Sequence, residues 1–176
     1  MPDQQTLFSR GLARAAVISD CGRYRYRLDR VWSRNEKPAV FVMLNPSTAD
    51  ALVDDPTIRR CMGFARARDF GGIVVVNLFA WRATEPAELT ARAHEGFDVV
   101  GPDNDRHLAE VFADAHTVVA AWGVRGVFLG RDRTVAAMVP ASAQLTCLRT
   151  TKAGHPEHPL YLPGRLTPQP FEVRHG

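Results

Sequence analysis

Four short apolar runs, each breaking off into a polar or glycine- and proline-rich loop, constrain this chain more than any other feature. Ala39-Val-Phe-Val-Met-Leu44 leads into Asn45-Pro-Ser-Thr-Ala-Asp50, and Ile73-Val-Val-Val76 into Asn77-Leu-Phe-Ala-Trp-Arg82. Thr117-Val-Val-Ala-Ala-Trp122 leads into Gly123, and Gln144-Leu-Thr-Cys-Leu148 into Arg149-Thr-Thr-Lys-Ala-Gly-His155. Such runs are too short for helices. Rich in valine and without polar alternation, they suit strands buried on both faces, the signature of a parallel sheet covered by helices. The intervening segments carry helix signals. Asp54-Asp-Pro56 supplies an N-cap and a first-turn proline, and Ile58, Cys61, Met62 and Ala65 follow at helical spacing until Gly71-Gly72. Further helices are expected over Asp103–Ala113, after the turn Gly101-Pro102, over Arg131–Met138 and over Pro86–Ala93.

The N-terminal segment Gly22–Trp32 alternates polar and apolar residues, the period of a half-buried strand, and is expected to be an edge strand or part of a hairpin. Its arginines suit either a solvated face that discourages edge pairing or a phosphate-contacting surface.

With 176 residues, 45% of them hydrophobic, the chain has the size and apolar content of one domain over 1–176, its core at about 20–163. No run reaches the eighteen or so apolar residues of a membrane helix, and Met1–Arg14 lacks the layout of a secretion signal, so a cytoplasmic protein without a membrane partner is expected. Cys21, Cys61 and Cys147 form no C-x-x-C pair, which argues against a disulfide framework or a zinc or iron–sulfur site. No metal and no cofactor are expected. The formal net charge of +3 is carried almost wholly by arginine, Lys37 and Lys152 being the only lysines. Arginine suits phosphate because its planar fork binds two oxygens at once, which favours a nucleic acid or nucleotide as partner.

Parallel strands joined by right-handed crossovers end at one edge, and ligands bind beyond those ends. Asn45, Pro46, Ser47, Thr48, Asp50, Asn77, Phe79, Trp81, Arg82, Thr150, Lys152, His155 and His158 would then gather there. Asn45-Pro46 also reads as a plain turn, Trp81 as core, and Asp54 and Asp55 as helix caps. Asn77 is harder to explain structurally: an amide ending a buried strand must find partners, and a base edge offers both a donor and an acceptor. In Gly154-His-Pro-Glu-His-Pro-Leu-Tyr161 two His-Pro pairs hold both imidazoles on a stiff loop. Glu157 alone completes no metal ligand set, no G-x-S-x-G follows a strand, and no G-x-x-x-x-G-K-[ST] occurs.

With these loops located, the sequence resembles a bacterial and phage family catalogued only as a domain of unknown function. Its marks are present as Leu44–Asp50, Asn77–Arg82, Gly101–Asp105, Ala121–Gly123 and Gly154–Tyr161, and the resemblance spans roughly residues 20 to 163. The layout is similar, at lower resolution, to the uracil-DNA glycosylase superfamily. That resemblance implies a three-layer α/β/α sandwich with a short, mainly parallel central sheet. It also implies a water-positioning loop at Asn45-Pro46, a base-reading residue at Asn77 and a late base-contacting loop at His155-Pro156 or His158-Pro159. The stronger glycosylases have Asp where this chain has Asn45, a glycine usually stands where it has Leu44, and the cysteines of the iron–sulfur members are absent.

The chemistry can be stated from the residues. Breaking an N-glycosidic bond needs an oriented water, donors at the departing base and a hold on the extruded nucleotide. Asn45 can position the water but cannot act as a strong base, and Asp50 is the nearest carboxylate to compensate. His155 or His158 would donate to the base. The expected function is a nucleobase-recognising protein that hydrolyses the glycosidic bond of a modified or deaminated base in DNA or a nucleotide. Its rivals are a non-catalytic nucleic-acid or nucleotide-binding module and a small-molecule nucleotide hydrolase or transferase.

Overall fold

The computed structural model describes residues 5–9 and 12–173. Three strands precede the first apolar run: β1 (Gln5–Ser9), β2 (Leu12–Ile18) and β3 (Arg25–Val31). The four apolar runs form β4 (Ala39–Met43), β5 (Gly72–Asn77), β6 (Thr117–Ala120) and β7 (Gln144–Cys147), and β8 (Gln169–Pro170) returns beside the last of them. The expected helices are present as α1 (Pro56–Arg66), α2 (Pro86–His94), α3 (Asn104–Ala113) and α4 (Arg131–Met138). For α1 the sequence signals act as read: Asp55 accepts from the Ile58 backbone N–H at 2.9 Å, and Pro56 occupies the first turn.

The strands make one eight-stranded sheet in the order β1-β2-β3-β5-β4-β6-β7-β8. Alternate residues of β4 and β5 feed two cores. Val40, Val42, Val74 and Val76 pack with Leu89, Leu108, Phe112 and Val135 of α2, α3 and α4. Phe41, Met43, Ile73 and Val75 pack with Ile58, Cys61, Phe64 and Ala65 of α1 on the other face. Full burial of each aliphatic side chain is worth about 1.5–3 kcal/mol, which explains why these strands are apolar on both sides.

The α/β class holds, but the expectation of a mainly parallel, glycosylase-like sheet does not. β4, β5, β6 and β7 are parallel to one another. The pairings β1 with β2, β2 with β3, β3 with β5, and β7 with β8 are antiparallel, so four of the seven ladders run antiparallel and the sheet is mixed. The reason lies in the connections: the short links among β1, β2 and β3 allow hairpin pairing, whereas a parallel neighbour needs a crossover of a dozen or more residues.

The hairpin alternative for the N-terminal region is therefore correct and the edge-strand alternative is not, because β3 lies between β2 and β5. Two of its arginines, Arg25 and Arg30, are buried, so the alternating charge is not a solvated face. Strands β1, β2 and β8 lie outside the span 20–163 expected for the core. Of the termini counted as peripheral, 1–4, 10–11 and 174–176 fall outside the described residues.

Candidate functional site

Because β4, β5 and β6 are parallel and β3 opposes β5, the carboxyl ends of the first three and the beginning of β3 share one rim. A cavity of about 600 Å³ opens at this rim, between the strand ends and the first turn of α1. Its volume lies within the ~300–1,000 Å³ usual for small-molecule sites.

Asn77 lines it from the last position of β5. On the pleat it follows Ile73 and Val75 to the α1 face, and it is 1% exposed. Neither its Nδ2 nor its Oδ1 has a hydrogen-bond partner. The backbone around it is tightly held. The Asn104 Nδ2 donates to the carbonyls of Asn77 and Leu78, each at 3.1 Å, and Arg131 Nε donates to Leu78 O at 3.0 Å. Asp105 in turn accepts from Arg131 Nη2 at 2.6 Å. α3 and α4 thus brace a strand end whose side chain is left unpaired.

Asn45 lines the same cavity from the loop after β4. Its Nδ2 donates to Pro46 O at 3.1 Å and Ala83 O at 2.9 Å, so Oδ1 is the atom it can offer a ligand. Ser47 and Thr48 also face the cavity. Asp50 does not: it accepts from the backbone N–H groups of Leu52 and Val53 at 2.8 and 2.9 Å, and these bonds hold its carboxyl below the usual carboxylate range. Two other carboxylates line the cavity, that of the α1 cap Asp55 and that of Glu85.

The two histidines are separated by Trp122, which lines the main cavity on one side and a second cavity of about 440 Å³ on the other. His158 lies in the main cavity with Asn45 and Asn77, and His155 in the second with Asp132 and Arg133. His158 Nδ1 accepts from the Leu160 N–H at 3.2 Å, which places the proton of the neutral ring on Nε2, and burial pushes its pKa below the ordinary histidine value. It is a neutral donor.

The loop that carries it is clamped. Arg149 Nε and Nη2 bond the two Glu157 oxygens at 2.9 and 2.8 Å, and Gly123 N–H donates to Pro156 O at 2.9 Å. Gly123 makes that bond at φ +72°, a left-handed conformation that favours glycine. Three residues on, a Cβ on Gly126 would fall inside the Trp122 indole, so only glycine lets the segment Val124–Gly130 pack against that ring.

The remaining candidates lie elsewhere. Phe79 is fully buried in the core on the α3 face, and Trp81 is also core, set edge-on to Tyr24 with ring centroids 5.6 Å apart. Arg82 and Trp81 border a third cavity of about 360 Å³ with Arg23, which shares Ser47 and Thr48 with the main one. Pro46 contributes its carbonyl, which accepts from Asn45 Nδ2 and Ala83 N–H. Lys152 is exposed and borders none of the three cavities. Sequence reasoning did not single out Arg25, Asn104 or Arg131 for the site, since their roles exist only through contacts distant in the chain.

Among the described residues, no group of three or more His, Cys, Asp or Glu side chains could hold a metal ion, and no helix is long and apolar enough to cross a membrane. Cys21, Cys61 and Cys147 are unpaired thiols. No curated protein and no solved structure matches the chain. One family does match, over residues 25–160, and its span takes in the Asn45 loop, the end of β5, the Gly101–Asp105 turn and the His-Pro loop. The chain belongs to the family described as Protein of unknown function (DUF1643).

Proposed function

We propose that the main cavity recognises a nucleobase, presented by a nucleotide or by a nucleic-acid strand. The observation that carries this is the buried, unpartnered carboxamide of Asn77. Leaving one buried donor or acceptor unpaired costs about 1–3 kcal/mol, and a ligand with an adjacent acceptor and donor would recover both. Base edges present that pair in a plane. The neutral His158 ring supports the same reading by offering an Nε2–H suited to a base carbonyl oxygen. The test is calorimetric titration with uracil, hypoxanthine, adenine and their nucleosides. At least one is expected to bind the protein and to lose at least about tenfold in affinity in Asn77→Leu, a penalty of about 1.4 kcal/mol. Binding untouched by that change would remove the reading.

Hydrolysis of the glycosidic bond is a second reading, favoured by Asp55, a carboxylate in the same cavity as Asn45. A water held by Asn45 Oδ1 would attack C1′ while Asp55 takes its proton, and the base would leave with the electron pair of the C1′–N bond. Oligonucleotides carrying uracil, hypoxanthine and other altered bases test it. No base release from any of them would leave recognition without turnover.

A further inference from the structure

Two arginines of β3 are buried to the same degree and are partnered differently. Arg30, 1% exposed, has its Nε 2.7 Å from Asp54 and both Nη atoms on carbonyl oxygens of Asp29, Asp50 and Val53. Arg25, 2% exposed, lies in the wall of the main cavity. Its Nη1 donates to Ala49 O at 2.6 Å, its Nε has no partner, and it has no ion-pair partner among the described residues. Burial pulls its pKa down to about 10, with Asp55 the leading opposing charge and Arg82 and Arg30 adding to the depression. The group remains a cation at neutral pH. Asp55 and Glu85 line the same cavity, but neither is in ion-pair contact with Arg25. A buried cation without a contacting counter-ion is costly, and an anionic ligand in the cavity beside it would supply that contact.

We propose, building on the reading of the cavity as a base site, that Arg25 makes it selective for acidic oxo-bases, whose exocyclic oxygens carry negative charge. The donor inventory around the cavity agrees. Arginine has no acceptor, and Arg25 Nε–H, His158 Nε2–H and one face of the Asn77 carboxamide all ask for acceptors on the ligand. An exocyclic amino group, as on adenine or cytosine, would set donor against donor wherever it met the Arg25 or His158 N–H. An anionic oxo-base supplies the acceptors and the charge together. The reach of Arg25 into the site follows from topology: β3 is antiparallel to β5, so its first residue meets the rim where β5 ends, and Arg25 N–H donates to Ala80 O at 2.9 Å.

The experiment compares barbiturate, anionic at neutral pH, with uracil, a neutral ring of similar shape, by calorimetry on the full chain. The wild type is expected to bind barbiturate at least about tenfold more tightly than uracil. Arg25→Gln is expected to bring that ratio close to one while uracil still binds, and Arg25→Lys, which keeps the charge, to retain part of it. Thermal melts of both variants serve as the check that they fold. If neither ring binds the wild type while hypoxanthine or adenine does, the role of Arg25 falls and the base site stands; if none of the four binds, the base-site reading itself has failed. Uracil binding without a barbiturate preference overturns the role of Arg25 alone, whether or not the variants fold, and so does a preference that survives in Arg25→Gln. Inorganic phosphate that binds the wild type and displaces barbiturate, with no preference between the two rings in its absence, also overturns it.

Discussion

The carboxamide of Asn77 sits in the interior with a donor and an acceptor both idle, although β5 holds its backbone in register and Asn104 ties its carbonyl. A leucine there would fill similar space without the unpaired groups. Asn77→Leu is therefore expected to raise stability by about 1 kcal/mol or more while it weakens base binding, read as a higher urea midpoint. A lower midpoint would mean that the amide serves the fold. His158 gives the matching pH prediction. Its folded pKa lies below the ordinary 6.5, so in the interval between the two the unfolded chain binds more protons. The stability it contributes is fully present above 6.5 and is lost as pH falls through the folded value. Protonation also abolishes the Nδ1 acceptor used by Leu160. Base affinity is expected to fall on the acid side in wild type and to flatten in His158→Gln, measured by titration from about pH 5 to 8.

At the scale of elements, the loop after β4 is shaped from beneath by β3. Arg30 bonds Asp54 and the carbonyls of Asp50 and Val53, Arg14 adds a second contact to Asp54, and Arg25 holds Ala49 O. Asp54→Ala leaves the buried Arg30 charge unpaired and is expected to cost about 3 kcal/mol in chemical denaturation. The neighbouring Asp55→Ala breaks no ion pair but loses a helix cap, about 1 kcal/mol, together with the leading opposing charge near Arg25, although Asp54 and Asp55 look alike in the sequence. Helices and buried strands were legible there because each announces itself locally: a capping Asp before Pro56, a valine run before Asn77. β3 was misread as an edge because its arginines alternate as solvent-facing residues do, and the partners that allow them inside lie twenty or more residues away.

Across the whole molecule, the main cavity and the one bordered by Arg23 and Arg82 meet at Ser47 and Thr48, which offers a sugar and phosphate a way out past two cations. If the base arrives on a strand, Arg82→Ala should lower the salt slope of oligonucleotide binding by about 1 and leave free-base affinity unchanged. An unchanged slope would favour a free nucleotide. The amino-acid sequence by itself determined the four inner strands, the helices between them and the polar loops at their ends, since these follow from the spacing of apolar residues and from capping within a few positions. Only the tertiary structure decided that the sheet is mixed, that His158 and not His155 joins Asn45 and Asn77, and that Arg25 enters the site. Strand direction, burial of a charge and the side of Trp122 on which a ring falls are settled by contacts between distant segments, and no local spacing encodes them.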